Sequence, residues 1–330
     1  MRTRWSALLG LAGVALALCL GSGCSTLGYY GQAVQGHMDL MQRARPVPDW
    51  LAEPGTDAAL RERLALSQRM RDFAVRELAL PDNRSYRSYA DLGRGAVVWN
   101  VVATPELSLT LQTWCFPIMG CVGYRGYFDR AAADALAAEL KARGLEVQVY
   151  GVPAYSTLGW SNWIGGDPLL NTFIHWPEAD LARLIFHELA HQVAYAADDT
   201  TFNESYATAV ERLGGRLWLA GRPEALAAIA QAEQRRADWR ALMQRQRERL
   251  ATVYAEPVDE AVKRKRKAEA MAAWRAEYEA LKRERWGGFA GYDAAVAGAN
   301  NASFGVQAAY DELVPAFERL FERQGRDFAR

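Results

Sequence analysis

The sequence predicts an α+β fold: a small sheet, then a buried helix that carries ionisable side chains, then a mostly helical C-terminal part. Three observations lead there. The apolar run Ala96–Ala103 and the segment Leu145–Val152 read as strands, the run Leu181–Ala197 is apolar nearly all round a helix, and helical spacing dominates from Pro223 onward. The 39 basic and 39 acidic residues balance, so charge gives no reason to expect nucleic acid as a partner.

Met1–Cys24 has the layout of a bacterial export signal: Arg2 and Arg4, an apolar stretch Trp5–Leu20, and Gly21-Ser22-Gly23 before Cys24. The stretch is shorter than the roughly 20 residues of a spanning helix and is broken by glycines. A cysteine directly after small residues resembles a lipoprotein signal, with Leu20 one position further from Cys24 than such signals place it. The expectation is a signal peptide over residues 1–23 and a lipid on Cys24 that anchors the chain to the membrane of the cell envelope. Ser25, rather than Asp, after the cysteine points to the outer membrane, facing the periplasm. Cleavage to a soluble periplasmic protein, or retention of the segment as an anchor, is the alternative. In an oxidising compartment Cys115 and Cys121 remain as one pair, and Pro117 and Gly120 favour a turn that joins them in a disulfide.

Further along, Leu60–Leu78 reads as an amphipathic helix stopped by Pro81. Ala96–Ala103 is a strand, and Leu107–Trp114 alternates as another, with Pro105 in the link. Ala131–Arg143 is an Ala-rich helix closed by Gly144, and Leu145–Val152 is the strand after it. Leu170–Trp176 follows as a strand, and Pro177 opens the buried helix, whose apolar positions are Leu181, Leu184, Ile185, Phe186, Leu189, Val193 and Ala194. In Arg235–Arg285 the spacing of Trp239, Leu242, Leu250, Met271, Trp274, Tyr278 and Leu281 predicts a helical hairpin that turns at Glu256-Pro257. Its basic cluster Lys263–Lys267 is flanked by Glu256, Asp259, Glu260 and Glu269 and reads as a solvated helix face. These elements divide the chain into a region over 24–222, around the buried helix, and a helical subdomain over 223–330.

The buried helix carries His187-Glu188-Leu189-Ala190-His191, and Asn203-Glu204-Ser205-Tyr206-Ala207 follows a short loop later. Residues four apart on a helix stand one above the other, so the two imidazoles can meet one metal ion. Two of the chain's four histidines occupy this motif. Buried without partners, such groups cost several kcal/mol, a cost that ligation removes. Glu188 is one step round the helix, where a water on the metal needs a base. The spacing to Glu204 leaves room to end the helix, turn, and bring Glu204 inward on a second helix. His187, His191 and Glu204 are therefore the expected ligands of zinc (Zn2+). Glu188 is the expected general base and acid in hydrolysis of a peptide or protein substrate by zinc-activated water. A small sheet, an HExxH helix and a helix bearing the third ligand match the zincin arrangement of metallopeptidases. For the developing oxyanion, Tyr155 in the loop after Leu145–Val152 is the expected donor, with Tyr195 and Tyr206 as competitors. Glu211, about two turns after Glu204, and Asp198 and Asp199 could orient the histidines, cap a helix or face solvent. A reading of another class is a non-catalytic envelope interaction module with structural zinc, which His175 on the metal would mark.

Several strings extend over most of the mature chain: Cys24-Ser25-Thr26-Leu27-Gly28-Tyr29-Tyr30, Asn83-Arg84-Ser85-Tyr86-Arg87, Trp114-Cys115-Phe116-Pro117, Ala154-Tyr155-Ser156-Thr157-Leu158-Gly159-Trp160, and Ile185-Phe186-His187-Glu188-Leu189-Ala190-His191-Gln192 through Phe202-Asn203-Glu204-Ser205-Tyr206-Ala207. In these the chain resembles the bacterial putative aminopeptidase family of predicted lipoprotein zinc peptidases. The resemblance implies the same ligands and the same catalyst, Glu188. The HExxH and Asn-Glu-x-x-Ala pair is also similar to zinc aminopeptidases of the gluzincin group. Those enzymes bind the free amino terminus with acidic residues of a Gly-rich loop. No Gly-x-Met-Glu-Asn-like string precedes His187, so zinc endopeptidase action stays open beside aminopeptidase action.

Overall fold

The computed structural model describes residues 28–116, 120–154, 165–197, 199–306 and 313–330. The expected signal peptide, Cys24, Tyr155 and Asp198 lie outside them. Helix α1 (28–43) leads into β1 (Arg45–Pro46) and α2 (Val47–Ala52). Helix α3 (Ala58–Leu78) is the expected amphipathic helix. It starts because the Asp57 carboxylate accepts the Leu60 N–H at 3.1 Å. It ends at Ala79, which is left-handed with φ 51° and donates its N–H to Ala74 O.

Two three-stranded sheets form. In the first, β2 (Ser88–Ala90) runs antiparallel to β1 and parallel to β8 (Leu169–Leu170). In the second, β3 (Val98–Pro105) lies between β6 (Arg125–Tyr127) and β7 (Leu145–Val152), antiparallel to both, in register from Val98↔Val152 to Pro105↔Leu145. Helix α4 (Arg130–Ala142) packs Ala133, Ala137 and Leu140 on Val101, Ala103 and Val147 of that sheet. The strands β4 (Trp114–Phe116) and β5 (Gly120–Val122) form a separate ladder. Cys115 faces Cys121 across it, and the two form the expected disulfide with Cα atoms 3.9 Å apart.

Two expected strands are much shorter than their alternation suggests. Only Trp114 of Leu107–Trp114 is in a strand, because the start of the segment is drawn toward the C-terminal helices. The Asn301 amide donates to Glu106 O at 2.7 Å and Ser108 O at 3.0 Å, and Leu109 packs among the C-terminal helices. Of Leu170–Trp176, only Leu170 pairs with a neighbour. Phe173 and Ile174 donate their N–H groups to Leu170 O, which coils the chain into turns before Pro177.

Helix α5 (Glu178–Ala190) and helix α6 (Thr200–Trp218) form the centre of the largest core. Leu181, Ile185, Phe186 and Leu189 are fully buried, packed with Leu64, Met70 and Leu78 of α3 and with Phe173 and Ile174. Each such side chain contributes roughly 1.5–3 kcal/mol on burial. Gly214 brings α6 close to its neighbours, for a Cβ there would lie 2.6 Å from Leu78 and 3.1 Å from Phe186. The run Leu181–Ala197 is not one helix: α5 stops at Ala190, with His191 as its C-cap, and Val193 is 51% exposed.

The C-terminal part is helical, as expected. Helix α7 (Pro223–Ala255) and helix α8 (Glu260–Glu284) form the hairpin around Glu256-Pro257, followed by α9 (Asp293–Ala297), α10 (Asn301–Gly305) and α11 (Val314–Arg323). Leu242, Leu250, Trp274, Tyr278 and Phe304 build a second core. The basic cluster is more than a solvated face. Lys267 pairs with Glu146 and donates to Glu106 O, and Arg264 binds Glu106 at 2.9 Å, so two of the five cations dock α8 onto the β3–β7 region. Among the described residues no helix is long and apolar enough to cross a membrane.

Candidate metal centre

His187 stands in the last turn of α5 and His191 at its C-cap, and their Nε2 atoms approach to 3.1 Å. Glu204 enters from the first turns of α6, with one carboxylate oxygen 3.4 Å from His187 Nε2 and the other 3.7 Å from His191 Nε2. Asp199 caps α6 by accepting the Phe202 N–H at 2.8 Å, which starts that helix in time to carry Glu204 inward. Asn203 sets the direction: its amide accepts the Ala196 N–H at 2.7 Å and donates to Ala196 O at 2.8 Å. That two-bond clamp folds the connector back on α6 and turns Glu204 toward the histidines.

A ligand atom from each of His187, His191 and Glu204 lies within 4.8 Å of the others. The spacing suits a single ion. With zinc–nitrogen distances near 2.0–2.1 Å in a tetrahedral set, two ligand nitrogens stand about 3.3 Å apart. The two Nε2 atoms at 3.1 Å, and the Glu204 oxygens at 3.4 Å and 3.7 Å from them, lie within about 0.4 Å of that spacing. The donor set, two imidazoles and one carboxylate, is also the chemistry that zinc takes at sites with an open position.

Behind His187, Glu211 lies one carboxylate oxygen 3.1 Å from Nδ1 and the other 2.6 Å from the Arg183 guanidinium. Arg183 also reaches Glu233 of α7 at 3.3 Å. An Nδ1–H that donates to Glu211 leaves the His187 Nε2 lone pair facing the cluster, so the carboxylate fixes the tautomer that a metal needs. The charges follow the contacts. Burial works against charge on His187, but hydrogen bonds to Glu204 and Glu211 outweigh it and raise its pKa to about 10. His191 is driven down by burial and then by the charge on His187. Burial acts against the Glu211 carboxylate as well, yet the His187 hydrogen bond and Arg183 hold its pKa below the ordinary range.

Glu188 is partly buried, one step along α5 from His187. Tyr195 is 58% exposed on the connector, and Tyr206 packs edge-on against Phe317 at 5.5 Å. His175 is exposed in the turn before α5, and His37 belongs to α1; among the described residues neither joins the cluster. Sequence reasoning assigned no role to Arg183, and none to Asn203 beyond its place in Asn-Glu-x-x-Ala. An arginine one helical turn before His187 on an otherwise apolar helix was the available sign for Arg183, whereas no local pattern marks the clamp that Asn203 makes on Ala196.

Neither the curated proteins nor the solved structures give a match to this chain. The family described as "Putative aminopeptidase" matches it over residues 28–330, nearly its whole length, and the chain belongs to that family.

Proposed function

We propose that this protein is a zinc-dependent aminopeptidase of zincin-like build that works in the bacterial envelope, anchored by a lipid on Cys24. The reading rests on the convergence of His187, His191 and Glu204 on one point, with Glu211 fixed behind His187. Zinc held there supplies a Lewis acid that polarises the scissile carbonyl and makes water more acidic. Glu188 accepts the proton of the attacking water and returns it to the leaving amine, so one carboxylate is base and then acid. Glu211 and Arg183 keep His187 in one orientation through the cycle. Tyr155 is the proposed donor to the developing oxyanion. In this reading residues 24–222 hold the catalytic machinery, and 223–330 form a helical subdomain that reaches it through Glu233.

The test compares wild-type protein with Glu188→Gln on a mixed peptide library with free and acetylated amino termini. Loss of single residues from free termini only, dependent on Glu188, supports the aminopeptidase. Internal cuts in both sets make it an endopeptidase. No difference between the two proteins overturns the enzyme reading and leaves a non-catalytic module.

A further inference from the structure

The two imidazoles of the centre are held in different ways. His187 has the Glu211 carboxylate 3.1 Å behind its Nδ1, whereas among the described residues the buried Nδ1 of His191 has no hydrogen-bond partner. His191 also stands where α5 has ended. Its N–H still reaches His187 O at 3.3 Å, but Gln192 and Val193 donate to Leu189 O and Ala190 O, three residues back, so the chain tightens into a turn. Val193 is 51% exposed, and packing there does little to fix that turn.

A polar contact with a distant segment does. The Gln192 side chain accepts from the Asn83 amide at 2.7 Å and donates to Ser85 Oγ at 3.3 Å. The loop after α3 sets the orientation of both amides. Asn83 Oδ1 accepts the Ser85 N–H at 3.0 Å and is 3.4 Å from the Arg71 guanidinium, so its NH2 group faces Gln192. The loop itself has little freedom. Arg71, fully buried, donates to Ser85 O at 3.0 Å and to Asn83 O at 3.3 Å, and Ser85 Oγ accepts the Asp167 N–H at 3.3 Å. From the other side the chain at Gly166 comes so close that a Cβ there would lie 2.6 Å from Arg84 C and 2.8 Å from Ser85 Cα.

We propose that Asn83 is a positioning residue for the metal ligand His191: its amide pins Gln192, and with it the turn that carries the imidazole. The proposal rests on the zinc-peptidase reading above and names a further residue of that site. His187 takes its direction from a side chain behind the ring. His191 takes its direction from the backbone, and Asn83 holds that backbone. An imidazole on a loose turn must be ordered when the ion binds, which weakens binding; a pinned turn is ordered beforehand.

The full chain is compared as wild type, Asn83→Ala, Gln192→Ala and the double variant. Competition with a chromophoric chelator measures zinc affinity, the visible spectrum of the cobalt-substituted protein reports ligand geometry, and urea unfolding without metal measures stability. Asn83→Ala is expected to weaken zinc binding about 10-fold, as for other groups that orient metal ligands, and to shift the cobalt bands. Gln192→Ala removes the same contact from the helix side, so the double variant is expected to lose no more than the worse single variant. A merely structural contact would lower the urea midpoint and leave the zinc affinity and cobalt spectrum of the folded protein unchanged. Zinc affinity within about twofold of wild type in Asn83→Ala, losses that add in the double variant, or an unmoved cobalt spectrum overturns the proposal. Should Asn83→Ala fail to fold, Gln192→Ala leaves the loop's own hydrogen bonds in place and is held to the same affinity and spectrum. A wild type that binds neither zinc nor cobalt overturns the metal reading and the proposal with it. If zinc binding weakens as expected while Glu188→Gln hydrolyses as well as wild type, the positioning contact stands and the peptidase reading falls.

Discussion

Glu211→Gln removes one charge and almost no volume from the group that holds His187. In the native site that carboxylate has two partners, Arg183 at 2.6 Å and His187 Nδ1 at 3.1 Å. The amide can still accept one hydrogen bond, but it no longer offsets the buried guanidinium or strengthens the imidazole as a ligand. Arg183 keeps Glu233 at 3.3 Å, so the loss in stability should stay below the roughly 3–5 kcal/mol of a buried ion pair broken outright. The loss in zinc affinity should match that of other carboxylates that support metal-bound histidines, roughly 10–100-fold, or about 1.4–2.8 kcal/mol. Competition with a chromophoric chelator measures the zinc affinity, and urea unfolding of the metal-free protein measures the stability. Glu233→Gln is the control: it leaves the Glu211–His187 contact in place and should change zinc affinity by less than about threefold. Equal affinity in wild type and Glu211→Gln would refute the reasoning.

Further outcomes follow from the site and from the proposed lipid anchor. The raised pKa of His187, about 10 against an ordinary 6.5, means that the metal-free site holds a proton across neutral pH. Zinc must displace it, so affinity should rise about tenfold per pH unit between roughly pH 7 and 9, with about one proton released per ion. Titration calorimetry in buffers of different ionisation enthalpy counts that proton. By the same sign, the contribution of this group to the stability of the metal-free protein is complete below pH 6.5 and is lost as pH rises toward about 10. Asn203→Ala strands the Ala196 N–H and C=O and should cost about 1–3 kcal/mol in urea unfolding, together with weaker zinc binding, because Glu204 loses its guide. Cys24→Ala should move the protein from the membrane fraction to the soluble one, and an acyl mass should be present only on the wild type.

What the sequence disclosed, and what it hid, divides along the range of the interactions. The meeting of His187 and His191 was legible because a four-residue spacing on an apolar helix is a local property. The approach of Glu204 followed from the room between helices, whereas Glu211 stood beside Asp198 and Asp199 as one of several candidates that the sequence alone did not separate. The end of α5 at Ala190 was not legible, since the apolar pattern of Leu181–Ala197 runs past it without a break; Asn203 draws the connector after His191 back from a different helix. The strand expected at Leu107–Trp114 failed for a comparable reason. Its start is drawn aside by Asn301, almost two hundred residues later in the chain, which donates to Ser108 O and to Glu106 O just before it. Alternation reports which side chains are apolar, and it carries no record of a distant amide that competes for the backbone.

The central claim is that His187, His191 and Glu204 hold a single zinc ion. Metal analysis of the purified protein after mild dialysis, beside His187→Ala, Glu204→Ala and Glu188→Gln, tests it most directly. The account predicts one zinc per chain in the wild type and in Glu188→Gln, and loss of zinc in the other two. Full zinc retained by both His187→Ala and Glu204→Ala would contradict it.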